Sequence, residues 1–253
     1  MCHPEVPEGQ EAVAVEREEV GIPLTGNEVM PALFCAPQLP QRGATLIVGD
    51  IFGRSPFYED LCGRLALAGF QALLPDLFFR QGSLAETNRE AAMERVNRLD
   101  QRQTLRDLDI VLNWLQQRPY AAGLAGTIGF CMGGTLVLDV AAERNDVATV
   151  CFYGFPAGSR QPNAPPVPQE QVERMTGPIL GFWGDEDAGV GIENVHALDR
   201  ALAEHGVEHS FTIFPGVGHG FMAASRLEPS TPTYAAACQA WTATVDFLRR
   251  HIE

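Results

Sequence analysis

The sequence contains no lysine. Its 18 basic residues are all arginines, and 32 acidic residues bring the formal net charge to −14. A protein that binds nucleic acid through its phosphate backbone needs basic patches that displace counterions. The acidic excess therefore excludes a general nucleic-acid binder. A single arginine in a pocket can still attract a small anion, whatever the sign of the total charge.

Long apolar runs are also missing, and we expect no secretory signal. No apolar stretch approaches the roughly 18–20 residues that a membrane-spanning helix requires, and the first ten residues, MCHPEVPEGQ, do not form a signal-peptide pattern. The six cysteines follow no C-x-x-C or C-x-x-H spacing, which argues against a disulfide framework or a zinc site. We therefore expect a cytoplasmic protein, a monomer or small homo-oligomer, with no membrane partner, metal or cofactor.

The hydrophobic pattern predicts one α/β domain over residues 1–253, with residues 1–25 as an N-terminal extension or an edge strand. Hydrophobic residues make up 45% of the chain, enough for a sizeable core. Strands that alternate with helices predict a mostly parallel sheet with helices on both faces. The strand candidates are residues 12–18, 29–35, 44–49, 71–74, 125–130, 147–153, 178–183 and 208–214. The helix candidates are 57–68, 132–143, 192–204 and the segment from 234 onwards, with a charged amphipathic stretch at 86–118.

The segment 129–134, GFCMGG, lies between a strand pattern and a helix pattern. A nucleophile elbow requires this context, because a G-x-nucleophile-x-G turn holds its central side chain above the end of the sheet. Cys131 would be the nucleophile, and the N-terminus of the following helix would favour its thiolate. The structural alternative is a buried cysteine beside an ordinary glycine-rich turn.

Two later loops complete the pattern of a hydrolase. An acidic loop with Asp185, Glu186 and Asp187 follows one predicted strand, and a glycine-rich loop with His219 follows the next. The chain order nucleophile, acid, histidine is that of the α/β-hydrolases. A calcium loop is a further interpretation of the acidic segment, but the remaining ligand positions are missing.

On these residues the chain resembles the dienelactone hydrolases (carboxymethylenebutenolidases), a family with the α/β-hydrolase fold. The resemblance runs from about residue 26 to the C-terminus. The segments that carry it are 50–53 (DIFG), 75–80 (PDLFFR), the GFCMGG elbow, Tyr153-Gly154, and the loops that contain Asp187 and His219.

The resemblance implies a set of catalytic residues. Cys131 would be the nucleophile, His219 the base and Asp187 its acid, because the family pattern G-x-x-D-x-x-V aligns with residues 184–190 and selects Asp187 over Asp185. Asp50 would help to activate the thiol. The backbone N–H groups of Met132 and Ile51 would bind the oxyanion of the tetrahedral intermediate.

For the substrate, the resemblance implies that Arg80 binds a carboxylate. We also expect Tyr153, Phe79 and Phe221 along the pocket. The chain departs from the family pattern at two positions: Asp50 stands where family members usually have Glu, and Ala223 stands where the prototype enzymes have a second Arg. Arg54 or Arg226 could supply the missing charge. The alternative interpretation of Arg80 is a surface salt bridge.

The implied activity is hydrolysis of a lactone or an activated carboxylic ester through a cysteine nucleophile, on a small-molecule substrate that can carry a carboxylate. Ala223 keeps open a general carboxylesterase or thioesterase that acts on uncharged substrates. A third alternative is a non-catalytic protein of the same fold, in which Cys131 senses oxidants or the pocket binds a ligand.

Overall fold

The computed structural model describes residues 15–37, 42–119, 121, 123–158, 163–226 and 230–252. Within these residues, eight strands form one sheet in the order β1-β2-β4-β3-β5-β6-β7-β8. The strands are β1 Glu16–Pro23, β2 Val29–Ala36, β3 Ala44–Val48, β4 Gln71–Pro75, β5 Ala125–Phe130, β6 Val147–Phe152, β7 Ile179–Gly184 and β8 His209–Phe214.

The sheet is parallel except at one edge. Strand β2 pairs antiparallel with both β1 and β4, whereas the pairs from β4 to β8 are all parallel. Buried parallel strands are continuous apolar runs, and five of these six are fully buried and form short hydrophobic segments in the sequence. The sixth, β8, is partly exposed and was also predicted, at 208–214. The predicted α/β-hydrolase fold with a mostly parallel sheet is confirmed.

The helices lie on both faces of the sheet and bury two hydrophobic clusters. Alternate residues of a strand point to opposite faces, and Leu46 and Ile47 of β3 accordingly belong to different clusters. Helices α1 and α6 contribute to the cluster of Ile47, and α3 to the cluster of Leu46. The helices are α1 Pro56–Leu67, α2 Arg89–Asn97, α3 Gln101–Gln116, α4 Met132–Glu143, α5 Ile192–Glu204 and α6 Pro232–Ile252.

Two predicted elements differ from the structure. The amphipathic stretch 86–118 forms two helices instead of one, because the Asp100 side chain accepts a hydrogen bond from the Gln103 N–H and so caps a new helix. The early strand predicted at 12–18 is β1, which ends at Pro23; residues 12–14 lie outside the described residues. None of the described helices has the length and apolar character to cross a membrane.

The topology gathers four loops at one edge of the sheet. Residues after β3, β5, β7 and β8 leave the carboxyl ends of parallel strands, which all point the same way. Ligands of open α/β sheets bind at this edge. The loops carry Ile51, Cys131, Asp187 and His219, respectively.

Candidate active site

Cys131 occupies a sharp turn between β5 and α4. Its backbone has φ 56° and ψ −117°, in the region of positive φ that residues with a Cβ rarely adopt. The turn is held at both ends, since the Cys131 N–H donates to the Phe152 carbonyl (3.0 Å) and its carbonyl accepts from the Thr135 N–H (3.2 Å). Strained backbone of this kind persists where the surrounding structure imposes it, and it is common at active sites.

The glycines of the GFCMGG segment are required by close backbone contacts. A Cβ on Gly129 would lie 2.1 Å from the Gly133 carbonyl oxygen, and one on Gly133 would lie 2.1 Å from the Val48 carbonyl oxygen. The start of α4 thus packs directly on the end of β3. This contact brings Cys131 next to the loop that contains Ile51.

We expect the substitution Gly133→Ala to lower the free energy of unfolding by at least about 2 kcal/mol, because the clashing atoms are backbone and can move only if β3 and α4 separate. Urea denaturation followed by circular dichroism measures the effect. Gly218→Ala is the control, since a Cβ there meets nothing within 4 Å. Equal stability of the two variants would contradict the tight elbow.

His219 and Asp187 form a hydrogen-bonded pair. Nδ1 of His219 lies 2.6 Å from Oδ2 of Asp187, and only 5% of Asp187 is exposed. A carboxylate can only accept, so Nδ1 of His219 donates in this contact. The other carboxylate oxygen of Asp187 accepts from the Val190 N–H at 3.3 Å, which orients the acid.

The two acidic neighbours of Asp187 have different surroundings. Asp185 is exposed, and its Oδ1 accepts from the Gly216 N–H at 2.7 Å, so it fastens the start of the histidine loop to the end of β7. Glu186 is exposed at the rim of the cavity. The geometry therefore favours Asp187 as the acid that orients His219.

The predicted oxyanion groups come from two different strand ends. Met132 is the first residue of α4, and Ile51 follows β3 in a turn closed by the Asp50 carbonyl and the Gly53 N–H (2.9 Å). Neither the Met132 N–H nor the Ile51 N–H meets an acceptor within the part of the chain that the structure describes. Both side chains line the same cavity as Cys131.

Asp50 is almost entirely buried, with 2% exposed, and its Oδ1 accepts from the Phe52 N–H at 2.8 Å. The carboxylate thereby helps to shape the Ile51 turn. Its role in activating the Cys131 thiol remains a prediction.

A cavity of about 640 Å³ is lined by residues from all four loops at the strand ends. Cys131 and His219 line it together with Thr135, and the Thr135 hydroxyl accepts from the Phe155 N–H at 2.9 Å. Helix α2 and the start of α3 form one side of the cavity. The sequence pattern predicted these helical residues but not their position at the site. Their residues that line the cavity are Arg89, Met93, Val96 and Gln101.

Arg80 lies outside this cavity, and the prediction that it binds substrate is corrected. Its guanidinium donates to Glu28 Oε2 at 2.6 Å and to Asp107 Oδ2 at 2.5 Å. Both carboxylates raise the pKa of Arg80, so the cation is firmly held in this pair of contacts. The alternative interpretation, a salt bridge at the surface, fits the structure.

The three predicted aromatic residues also do not line the cavity. The Arg80 guanidinium lies over the Phe79 ring, with Cζ of Arg80 4.4 Å from the ring centroid. Tyr153 and Phe221 are buried beneath the histidine loop, where the Tyr153 ring contacts the His219 ring edge-on at a centroid distance of 4.9 Å. Phe221 in turn packs against the Tyr153 ring, and Phe155 is the aromatic residue of the described chain that lines the cavity.

Arg89 is the cationic residue that sequence reasoning missed. It is exposed at the first position of α2, lines the cavity, and forms no ion pair or hydrogen bond within the described residues. A cation at a helix N-terminus is electrostatically unfavourable. The cap Asn88, whose side chain accepts from the Ala91 N–H, was the sequence signal that a helix begins here.

The other described cysteines differ from Cys131. These four, Cys35, Cys62, Cys151 and Cys238, are also free thiols, and Cys151 is fully buried, which raises its pKa to about 12. Burial also raises the pKa of Cys62. Cys238 is partly exposed on α6 and does not line the cavity, and Cys2 lies outside the described residues. Within the described ranges there is no group of three or more His, Cys, Asp or Glu residues that could hold a metal ion.

The fold and the site define an α/β-hydrolase, and comparison with known proteins identifies the family. The model of the dienelactone hydrolase family matches residues 30–252. The chain is 30% identical over 230 residues to a carboxymethylenebutenolidase of Rhodococcus opacus, covering 90% of this chain and 88% of that protein. A Bradyrhizobium protein, provisionally named 2-oxo-3-(5-oxofuran-2-ylidene)propanoate lactonase, is 31% identical over 245 residues and 96% of each chain.

A solved structure shows the same relationship. A Klebsiella pneumoniae protein, provisionally described as a dienelactone hydrolase, superimposes with a TM-score of 0.86 at 28% identity, covering 94% of this chain and all of that one. The chain belongs to the dienelactone hydrolase family, and it is an enzyme, a hydrolase.

Proposed function

We propose that the protein hydrolyses a lactone or an activated carboxylic ester, with Cys131 as the nucleophile. The observation that carries the proposal is the cavity shared by Cys131, on its strained turn, and by the hydrogen-bonded pair of His219 and Asp187. The names of the relatives, a carboxymethylenebutenolidase and a lactonase, support a lactone as substrate.

In the first step, Sγ of Cys131 attacks the carbonyl carbon while His219 Nε2 takes the thiol proton. The carbonyl π electrons move to oxygen, and the N–H groups of Met132 and Ile51 bind the resulting oxyanion. When this intermediate collapses, the C–O bond of the ester breaks and the departing oxygen takes the proton from His219. For a lactone, the leaving group stays attached to the acyl chain.

In the second step, His219 Nε2 removes a proton from water, which attacks the thioester carbonyl. The C–S bond breaks, and the thiol recovers its proton from the imidazolium of His219. Asp187 holds the ring in place and stabilises its positive charge in both steps. One water is consumed in each cycle, and the free thiol is regenerated.

The choice of cysteine limits the substrates. A cysteine thiol has an ordinary pKa of about 8.5, far below that of an alcohol. Thiolate is therefore a better leaving group than alkoxide when a tetrahedral intermediate collapses. Acylation therefore proceeds well only when the departing oxygen is itself weakly basic. Enol lactones and activated esters meet this condition, and simple alkyl esters and amides do not.

Arg89 suits a substrate that carries a carboxylate. Since Arg80 is held by Glu28 and Asp107, Arg89 is the arginine within the described residues that lines the cavity. A guanidinium binds a carboxylate through two parallel hydrogen bonds. Arg89 would then supply the charge that Ala223, which is buried and uncharged, does not.

The substitution Arg89→Gln is expected to raise KM about threefold to fivefold for an enol lactone with a free carboxylate and to leave its neutral methyl ester within about 1.5-fold, because one exposed charge contact is lost. Steady-state kinetics on the two substrates measure the difference. The matched control is Arg98→Gln, at the other end of α2, which is exposed and does not line the cavity.

A carboxylesterase that acts on uncharged substrates is the second candidate. The pairing of Arg80, the neutral Ala223 and the acidic Glu186 at the rim favour it. Under this candidate, the wild-type protein prefers the methyl ester, and Arg89→Gln does not change the ratio of the two substrates. Trapping an acyl group on Cys131 tests the chemistry that both candidates share.

A further inference from the structure

Arg95 is a buried cation in the helix that covers the active site. It belongs to α2, is only 6% exposed, and directs its guanidinium towards two carbonyl groups. Nη2 donates to the Ile51 carbonyl at 3.1 Å and Nη1 to the Gly82 carbonyl at 3.3 Å. The cation thus connects α2 to the turn that follows β3.

The surroundings of the guanidinium keep it in this position. It lies over the Phe78 ring, 3.9 Å from the ring centroid, and the carboxylates of Asp76 and Asp50 attract it. Arg98, which caps the C-terminus of α2, repels it. Nε is buried without an acceptor. Burying a charge with one donor unsatisfied lowers the stability of the fold. The contacts of Arg95 with its specific partners must offset this cost.

The turn that Arg95 contacts is the proposed source of one oxyanion donor. The Asp50 carboxylate accepts from the Phe52 N–H and the Asp50 carbonyl from the Gly53 N–H, so the turn is closed on one side. The Ile51 carbonyl accepts from Arg95, so the turn is also held from α2. The Ile51 N–H is left without an acceptor in the described chain.

We propose that Arg95 is a positioning residue that sets the Ile51 turn for oxyanion binding and couples the α2 wall of the cavity to it. The inference rests on the proposed function, since it assumes that an oxyanion forms at Cys131. An oxyanion donor has to be held within a fraction of an ångström of the position that the charge will occupy. A charge-assisted hydrogen bond to the carbonyl of the same residue provides that restraint.

The test compares two reactions of the same thiol in the full-length protein. Acylation of Cys131 by a p-nitrophenyl ester passes through an oxyanion, whereas alkylation by iodoacetamide displaces iodide and forms none. Rapid mixing gives the acylation rate from the burst of p-nitrophenol, and mass spectrometry gives the alkylation rate. We expect Arg95→Met to slow acylation about tenfold to a hundredfold, less than the loss of an oxyanion donor itself, and to leave alkylation within about twofold.

Two further variants sharpen the comparison. Arg95→Lys keeps the charge but cannot reach both carbonyls in a fixed fork, so its acylation rate should lie between those of the wild type and Arg95→Met; this variant decides the matter if Arg95→Met does not fold. Arg98→Met, which removes an exposed arginine from the end of the same helix, should match the wild type in both reactions.

Either of two results with Arg95→Met would overturn the proposal. Unchanged acylation would mean that the turn needs no support from Arg95. Equal loss of acylation and alkylation would mean that Arg95 maintains the site generally and not the oxyanion donor. A wild-type protein that is alkylated but never acylated at Cys131 would contradict the proposed function, and the oxyanion role of Arg95 with it.

Discussion

Cys131→Ala is expected to lower kcat for an activated ester or enol lactone by at least about a thousandfold. Removing the nucleophile of a hydrolytic triad has effects of this size or larger, because the remaining groups cannot form the covalent intermediate. The folded structure should survive, since alanine is smaller than cysteine and retains the turn. Steady-state kinetics with wild-type and variant protein of equal Tm measure the loss.

Cys238→Ala is the matched control for this experiment. Cys238 is a partly exposed free thiol on α6 and does not line the cavity that Cys131 lines. Its removal should leave kcat within about twofold. If the Cys131→Ala variant kept most of the turnover, Cys131 would not be the nucleophile, and another group would carry out the hydrolysis.

Asp187→Asn is expected to lower kcat by about a hundredfold to ten-thousandfold. An amide cannot fix the Nδ1–H tautomer of His219 or stabilise its positive charge as the carboxylate does. The second step should suffer most, since water needs a base more than a thiol does. The variant should therefore release a burst of leaving group, one per chain, and then turn over slowly.

Asp185→Asn separates the two acids of the same loop. Asp185 accepts one backbone hydrogen bond from Gly216, and the amide oxygen of asparagine can accept the same bond. Its kcat should stay within about threefold of the wild type. A larger loss in Asp185→Asn than in Asp187→Asn would show that the family pattern places the acid wrongly.

Much of the fold could be predicted because buried parallel strands are continuous apolar runs. Strands β3 to β7 and helix α4 fall close to their predicted positions. The break between α2 and α3 was harder, because leucines at helical spacing dominated the pattern. The caps Asn88 and Asp100 were the signals that would have placed it.

Some residues of the candidate site could be predicted from the sequence and others could not. Cys131, Asp187 and His219 were predicted because each follows a strand in a motif with its own chemistry, and parallel strands bring their ends together. Side chains whose direction depends on distant partners were not predictable. Arg80 turns to Glu28 and Asp107, which are 52 and 27 residues away in the chain, and no local pattern shows this preference.

The cavity wall formed by α2 is another such case. Arg89 and Arg95 lie six residues apart on one short helix, yet one is exposed at the cavity and the other is buried against the Ile51 turn. Only the packing of α2 on the rest of the domain distinguishes them. Sequence patterns showed an amphipathic charged segment there and nothing about its contacts.

The most direct test of a cysteine hydrolase is the mass of the protein during turnover. Asp187→Asn, mixed with a p-nitrophenyl ester and quenched in acid within the burst, should gain the mass of one acyl group per chain. Peptide mapping should place that group on Cys131, and the Cys131→Ala protein should gain none. Steady hydrolysis without any adduct, or an acyl group on another residue, would contradict the account.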